Sequence, residues 1–364
     1  MKRGSNDNVD LSIRPSSVAI LFCTSDTNAK GREFEKFADC EEAEVARAVQ
    51  AALTTRGYQS TLVDLNPERI FELKKYSWVF NLAETIYGFP LTAYEVTEKL
   101  EQLNIHFTGS GSSILKACTN KAFTKSELIK YGILTPAFEV YFPGDPVHCG
   151  LKFPVIVKPV HEDGSIGISA DSVTSNEADL QRLVERTHSL YEQAALVEEF
   201  IDGKDVMVSI LGNGADAVTF PPSEIVFITP EEHRFLTFEA KWAAQSIEYK
   251  TNIMRCPCDL EAKLKEQICQ TALKAYHLMG CRDYARVDFR VNGNEAYLLE
   301  INPNPSLNPD GSGFVLCGKQ HGFSYEDLIN QILISSQKGR YLEPVSKSLG
   351  SRYESNVEAF IKRR

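Results

Sequence analysis

Two carboxylates, an amide and a guanidinium alternate with apolar residues in ARVDFRVNGNEAYLLEINPNP, residues 285–305. A period of two puts Val287, Phe289 and Val291 on one face of a first strand, and Tyr297, Leu299 and Ile301 on one face of a second. For both sets to share the core, residues of like parity must pair. That calls for a three-residue loop, Asn292-Gly293-Asn294, rather than a two-residue Asn-Gly turn. The other face then carries Arg286, Asp288, Glu300 and Asn302 together. Such oxygen donors suit Mg2+, which completes its shell with water and phosphate. The same alternation also describes a solvated polar face with an Arg–Asp ion pair. The loop that follows, NPNPSLNPDGSG, is shaped by Pro, Asn and Gly and lies at a strand end, where function collects.

FPVIVKPVHEDGSIGIS carries a second set of candidates: a strand ending near Lys158, a charged turn, then Gly164-Ser165-Ile166-Gly167. Backbone N–H groups in a small-residue turn can cradle phosphate, with Lys158 adding charge. A flexible hairpin tip has the same composition. The Walker spacing G-x-x-x-x-G-K-[ST] is absent. In LVEEFIDGKD a buried strand emits Glu198 and Glu199, an edge able to meet an adenine and a ribose or simply a charged turn. Lys121 and Lys241, in TNKAFTK and FEAKWAA, read individually as ordinary surface lysines. GSGSS at 109–113 lacks the third glycine of a dinucleotide fingerprint and reads as a tight connection.

Stepping along the chain shows what must position these groups. At 364 residues, two or three domains are expected. A hydrophobic content of 43% and a charged content of 24% are those of a globular protein, and a net charge of −10 argues against nucleic acid or an anionic membrane as partner. Nine scattered cysteines suit a reducing compartment, and C-P-C at 256–258 is too isolated to read as a metal site. The polar N-terminus has no signal-peptide core, and no apolar run approaches the roughly 20 residues of a membrane span. A cytoplasmic protein with no membrane partner is expected. SVAILFCT, STLVDL, WVFNLA and HFTG read as strands alternating with helices over CEEAEVARAVQAALTTRGY and LTAYEVTEKLEQLNI, a parallel α/β domain over 18–111. A central unit over 112–198 includes the segment TSNEADLQRLVERTHSLY, with Thr174 and Glu177 at the spacing of a helix capping box. A β-rich unit with the long helix DLEAKLKEQICQTALKAYHLMG covers 199–337, between polar tails at 1–17 and 338–364.

In order, these pieces resemble the ATP-grasp superfamily, and within it the D-alanine–D-alanine ligase-like family. The similarity runs from FTGSGSSILKACTNK to YEDLINQIL, with ARVDFRVNGNEAYLLEINPNP its most specific part, supported by VKPVHEDGSIGIS, LVEEFIDGKD and FEAKW. The resemblance implies an α/β and α+β protein, an N-terminal parallel α/β (preATP-grasp) domain followed by a two-lobed ATP-grasp fold. It implies ATP and two Mg2+ ions as cofactors. Lys121 and Lys158 would contact phosphates, with Gly164 and Ser165 covering them, and Glu198, Glu199, Phe200, Ile201 and Leu299 would line the adenine slot. Asp205 would meet the ribose where relatives usually have Glu, Lys241 would bind the transferred phosphoryl group, and Asp288, Glu300 and Asn302 would hold metal. Arg286 would form part of an oxyanion hole, with Ser306 where relatives usually place Gly. A homodimer is implied as well.

The implied activity is an ADP-forming ligation of a small-molecule carboxylate to an amine or amino acid through an acyl phosphate. A small-molecule kinase and a catalytically silent nucleotide-binding regulator are the alternatives. On the donor side the chain departs from the family. LFCTSDTNAKGREFEKF stands where relatives carry a Gly-Gly-rich turn and Ser-x-Glu, and FNLAETIYGFP replaces a His-Gly and Gly-Glu-Asp pattern. A donor other than D-alanine is therefore expected, in a pocket lined by Cys23, Asp26, Asn81 and Glu84. Gly311 and Ser312 of PDGSG would receive the acceptor's carboxylate through the hydroxyl and backbone N–H groups.

Overall fold

The computed structural model describes residues 15–23, 42–83, 93–228, 235–243, 245–339 and 352–353. VAILF is apolar throughout, as a strand covered on both faces must be. It forms β1 (Val18–Phe22), entirely buried, between β2 (Ser60–Asp64) and β3 (Trp78–Asn81) in a parallel sheet of order β2-β1-β3. Helix α1 (Glu42–Thr55) packs on the Val18, Ile20 and Phe22 face, and α2 (Ala93–Gln102) on the Ala19 and Leu21 face. HFTG does not form the expected strand; Phe107 joins Val79 through an isolated bridge.

Helices α3 (Ser112–Thr119) and α4 (Lys121–Lys130) follow. The side chain of Asn120 accepts from the Phe123 N–H at 2.9 Å, capping α4 and setting Lys121 at its first turn. Although they lie within 112–198, their residues Ile114, Ala117, Phe123 and Leu128 belong to the core of the C-terminal sheet.

A smaller antiparallel sheet has the order β4-β7-β5-β6, from β4 (Phe138–Tyr141), β5 (Val155–Pro159), β6 (Val173–Thr174) and β7 (Ala195–Glu199). Helix α5 (Glu177–Tyr191) covers the Val155, Val157, Ala195 and Val197 face. Its cap is Asn176, which accepts from the Asp179 N–H at 2.9 Å, rather than the expected Thr174.

The larger sheet runs β11-β10-β8-β12-β13, with β9 paired to β8. Its strands are β8 (Lys204–Leu211), β9 (Val218–Thr219), β10 (Ser223–Phe227), β11 (Asn252–Arg255), β12 (Tyr284–Asn292) and β13 (Glu295–Asn302). Short helices α6 (Phe238–Trp242) and α7 (Ile247–Thr251) lie between β10 and β11. Helix α8 (Ala262–Met279) buries Val206, Val208, Val287 and Phe289 beneath the sheet. Helices α9 (Gly313–His321) and α10 (Tyr325–Gly339) complete the unit, and α10 shares a hydrophobic core with α1 and β1. Among the described residues no helix is long and apolar enough to cross a membrane.

The β12–β13 hairpin differs from its expected form in one instructive way. Its turn is two residues, Gly293-Asn294, closed by the Asn292–Glu295 pair, with Gly293 at φ +57°. Register then shifts between Asp288 and Phe289: Phe289 pairs with Leu298, but Asp288 pairs with Glu300. Leu299 is the extra residue of a bulge. Leu298 and Ile301 therefore enter the core, while Leu299, expected there by alternation, lines the cleft above the sheet. Beyond the bulge the like-parity register holds, and Arg286, Asp288, Glu300 and Asn302 share one face.

Candidate active site

The two antiparallel sheets enclose a cleft of about 520 Å³. Even-numbered residues of β12 and odd-numbered residues of β8 point into it, because strands buried by α8 on one face can offer only the other. One end is apolar, with Ile156, Met207, Ile225, Phe235 and Leu299 lining it beside Glu199, Phe200 and Ile201. Phe200 and Phe235 meet edge to face at 5.6 Å. Arg290, 3% exposed, holds this end in place. Its guanidinium lies 5.5 Å from the Phe200 ring centre, donates through Nε to the Ile201 carbonyl at 2.8 Å, and lies 2.7 Å from the Asp205 carboxylate. The remaining Asp205 oxygen, Oδ2, is buried with no hydrogen-bond partner. A buried acceptor in that condition calls for a donor, and a ribose hydroxyl meets the requirement. The apolar slot and this orphaned oxygen together fit a nucleoside.

The connection that carries Phe200 and Ile201 runs tight against β12. A Cβ on Gly203 would sit 2.1 Å from the Val291 carbonyl oxygen, a backbone atom with no freedom to retreat. Gly203→Ala is accordingly expected to destabilise the protein by about 2–3 kcal/mol, the upper part of the roughly 1–3 kcal/mol range for overpacking, read as a shift in the denaturation midpoint. A midpoint equal to that of the parent would show that the connection is not pinned there.

Three lysines lie toward the other end of the cleft. Lys121 is 7% exposed; its ammonium donates to the Glu162 carbonyl and stands 3.7 Å from Glu300. Lys158, at the end of β5, lies 2.8 Å from Glu198. Lys241 on α6 has its pKa lowered by burial and then by Arg286, against the pull of Glu300 and Asp288. Glu198 lines the cleft as expected, yet its carboxylate is committed to Lys158 and to Lys125, which lies 3.0 Å from it. Its side chain is thus an anchor for lysines rather than a contact for adenine.

Arg286 grips Asp288 through two hydrogen bonds of 2.7 Å each. Burial works against the Arg286 charge, but Asp288 outweighs it and the guanidinium pKa rises. Burial also pushes the Asp288 carboxyl up, against the pull of Arg286. Glu300 is opposed by burial too but is held down by Lys121, Arg286 and Lys241. Asn302 pairs with Arg286 in the register and accepts from the Asn304 N–H at 2.8 Å. Among the described residues no group of three or more His, Cys, Asp or Glu gathers in metal-ligating fashion. The donors here are two carboxylates plus an amide, a hard oxygen set that fits Mg2+ held together with phosphate.

The Gly164–Gly167 loop covers the cleft and is latched to the α6 segment. Ser165, at φ +64°, donates its hydroxyl to the Leu236 carbonyl at 3.0 Å, and Trp242 donates through Nε1 to the Gly164 carbonyl at 2.8 Å. Ile166, Tyr191, Phe238 and Trp242 form a small apolar cluster beneath. The Ser165 hydroxyl therefore fastens the lid rather than facing phosphate.

Ser306, Gly311 and Ser312, expected on the acceptor side, line the cleft. The Ser312 hydroxyl donates to the Ser306 carbonyl and accepts from the Val315 N–H as the cap of α9, so it is not available in the expected way. Ser306 in turn accepts from the Asn308 N–H at 3.2 Å. On the donor side, Asp26 and Glu84 lie outside the described residues. Cys23 donates its N–H to Glu42, and Asn81 is buried at the carboxyl end of β3, away from the cleft lining. Lys125, Trp242, Arg290 and Phe235 were not among the expected site residues. Lys125 had one signal, its i+4 spacing from Lys121 on the same helix face.

The cleft is thus a slot between two antiparallel sheets, with lysines and carboxylates at its far end. Residues 145–334 match the family model described as D-ala D-ala ligase C-terminus. A D-alanine–D-alanine ligase of Geobacter sulfurreducens is 31% identical over 294 residues, 80% of this chain and 87% of that one. Uncharacterized protein y4sG of Sinorhizobium fredii is 34% identical over 300 residues, 79% and 86% of the two chains. The crystal structure of the D-alanine–D-alanine ligase of Bacillus anthracis superposes with a TM-score of 0.72 at 22% identity, covering 89% of this chain and 98% of that one. The chain belongs to the D-alanine–D-alanine ligase family, and with it to the ATP-grasp ligases that join a carboxylate to an amine.

Proposed function

We propose that the protein activates a small carboxylate other than D-alanine with ATP and joins it to an amino acid, releasing ADP and phosphate. The observation that carries the reading is the convergence of Lys121, Lys158, Lys241, Arg286, Asp288 and Glu300 on one cleft beside an apolar slot. The donor's departure from D-alanine rests on the sequence, where the Ser-x-Glu and His-Gly patterns of relatives are absent from LFCTSDTNAKGREFEKF and FNLAETIYGFP.

In this reading the slot takes adenine and Asp205 takes the ribose. Lys121 and Lys158 bind phosphate, and Lys241 faces the transferred phosphoryl group. Asp288, Glu300 and Asn302 hold magnesium, which when bound disperses charge on the phosphoryl oxygens. The donor carboxylate attacks the γ-phosphorus, the bridging oxygen leaves with ADP, and an acyl phosphate results. The amine nitrogen then attacks the acyl carbon, phosphate departs, and the nitrogen loses a proton. Arg286 would donate to the oxyanion of that tetrahedral intermediate. The N-terminal end of α9, with Ser306 and Gly311 beside it, would receive the acceptor's carboxylate. The latched lid keeps water from the acyl phosphate.

Purified protein, Mg-ATP and a matrix of carboxylates and amino acids test the proposal. ADP release that requires one particular pair, with the new amide seen by mass spectrometry, is the expected result. D-alanyl-D-alanine as the preferred product would overturn the donor assignment, and a stable phosphorylated product with no amide would overturn the ligation. The lid has its own test. Trp242→Phe removes the hydrogen bond to Gly164, worth about 1 kcal/mol. We expect phosphate released in excess of amide, the product of acyl-phosphate hydrolysis, to rise about fivefold. An unchanged excess would mean that the latch does not exclude water.

A further inference from the structure

We propose that Lys125, which does not line the cleft, is a positioning residue for nucleotide binding: by sharing the Glu198 carboxylate it leaves Lys158 with positive charge to offer a phosphate. The proposal rests on the nucleotide assignment above.

Lysines are rarely buried completely, because burial removes the water that stabilises the ammonium. Lys125 is 0% exposed and sits inside α4. Its ammonium lies 2.7 Å from the Thr135 hydroxyl and 3.0 Å from Glu198 Oε1. The second oxygen of the same carboxylate, Oε2, lies 2.8 Å from Lys158. Glu198 is 1% exposed and Lys158 9% exposed, and only Lys158 and Glu198 of the three line the cleft. Burial alone would raise the Glu198 pKa, but Lys125 and then Lys158 outweigh it and hold the carboxyl at about 2.

The three groups thus carry two positive charges and one negative. A buried arrangement built only for stability would balance, since an uncompensated buried charge is costly. Within this triad a unit of positive charge is left over, and the member facing the cleft, Lys158, is opposed there by Glu300 across the cleft lining. Strand geometry makes the sharing unavoidable: Glu198 lies opposite Ile156, two residues from Lys158 on the same face of β5, and α4 lies across that face. The other charged groups acting on Lys125 are Lys158 and, more weakly, Glu300; Lys121 lies one turn earlier on α4. If Lys125 loses its charge, Glu198 pairs with Lys158 alone, and the pair presents a neutral face to a phosphate.

The test is Mg-ADP affinity by calorimetry, which needs no carboxylate or amine. Lys125→Met is expected to weaken binding about 10- to 100-fold, the size of one charge-assisted hydrogen bond. Turnover at saturating ATP should fall no more than about twofold, because phosphate capture rather than chemistry is affected. The double variant Lys125→Met/Glu198→Gln frees Lys158 from its remaining partner, leaves no buried carboxylate unpaired, and should recover affinity to within about threefold of the parent. A purely structural lysine gives the opposite order, with the double variant no better than the single. Acidity supplies an independent readout. Burial lowers the Lys125 pKa to about 8, so it is charged below that pH and neutral above it. Parent affinity should decline as pH rises through about 8, and the decline should be absent in Lys125→Met. Equal affinity of parent and Lys125→Met, or a double variant as weak as the single, overturns this assignment alone. A parent protein that binds no Mg-ADP overturns the nucleotide site with it.

Discussion

Glu300→Gln is expected to lower turnover by roughly a thousandfold while the protein remains folded. Glu300 stands opposite Asp288 in the hairpin ladder, and Lys121 approaches it to 3.7 Å. In the proposed mechanism it does two things at once. It supplies one of two carboxylates to the metal ions, and its charge offsets Lys121, Arg286 and Lys241, which pull its pKa down against burial. The amide keeps the shape but neither the charge nor the affinity for a hard cation. Loss of an electrostatic group of this kind from a water-excluded site costs about 10²- to 10³-fold, and the loss of metal adds to that. Its side chain is 28% exposed, so the cost in stability should be far smaller, on the order of 1 kcal/mol. Initial rates of ADP release beside a denaturation curve separate the two effects. A variant that keeps more than about a tenth of parental turnover would remove Glu300 from the metal site.

Legibility in the sequence followed how local each feature is. The face carrying Arg286, Asp288, Glu300 and Asn302 could be read because alternation in a hairpin is a short-range property. The turn could not. With Leu298 and Leu299 both apolar, the sequence does not say which of them enters the core, and the bulge at Leu299 depends on packing against α8 and the cleft. The cap of α5 was missed by two residues because Thr174 and Asn176 are both competent, and backbone direction chose Asn176. Ser165 and Ser312 were found as members of the site, but their hydroxyls turned out to fasten the lid and cap α9. Lys125, despite its i+4 spacing from Lys121, was passed over for a different reason. A lysine in a helix reads as solvated surface, and its partner Glu198 is distant in the chain, brought close only by the sheet. Arg290 was hidden in the same way, in a strand where Arg286 and Asp288 had already been assigned to the oxyanion and the metal. The α/β succession at the N-terminus was readable from strand composition and the two later lobes from the family resemblance, whereas the sharing of one core by α1 and α10 was not.

Arg286 offers the sharper dissection of mechanism, because it touches two steps. In the structure its fork is closed on Asp288, with both bonds at 2.7 Å. If its work is only to hold Asp288, removing it should impair both phosphoryl transfer and amide formation. If it also donates to the oxyanion of the tetrahedral intermediate, the amine step should suffer more. Arg286→Lys keeps a positive charge beside Asp288 but loses the planar fork that can serve two acceptors at once. We expect overall amide formation to fall about 10²- to 10³-fold, as when one oxyanion donor is removed. Reversible phosphoryl transfer, followed by donor-dependent positional scrambling of isotopically labelled ATP without the amine, should fall by less than about tenfold, because the charge near Asp288 and Glu300 is retained. The split between these two measurements carries the assignment. Equal losses in both would confine Arg286 to the support of Asp288, and the oxyanion would then have to be met by another donor near the loop that follows β13.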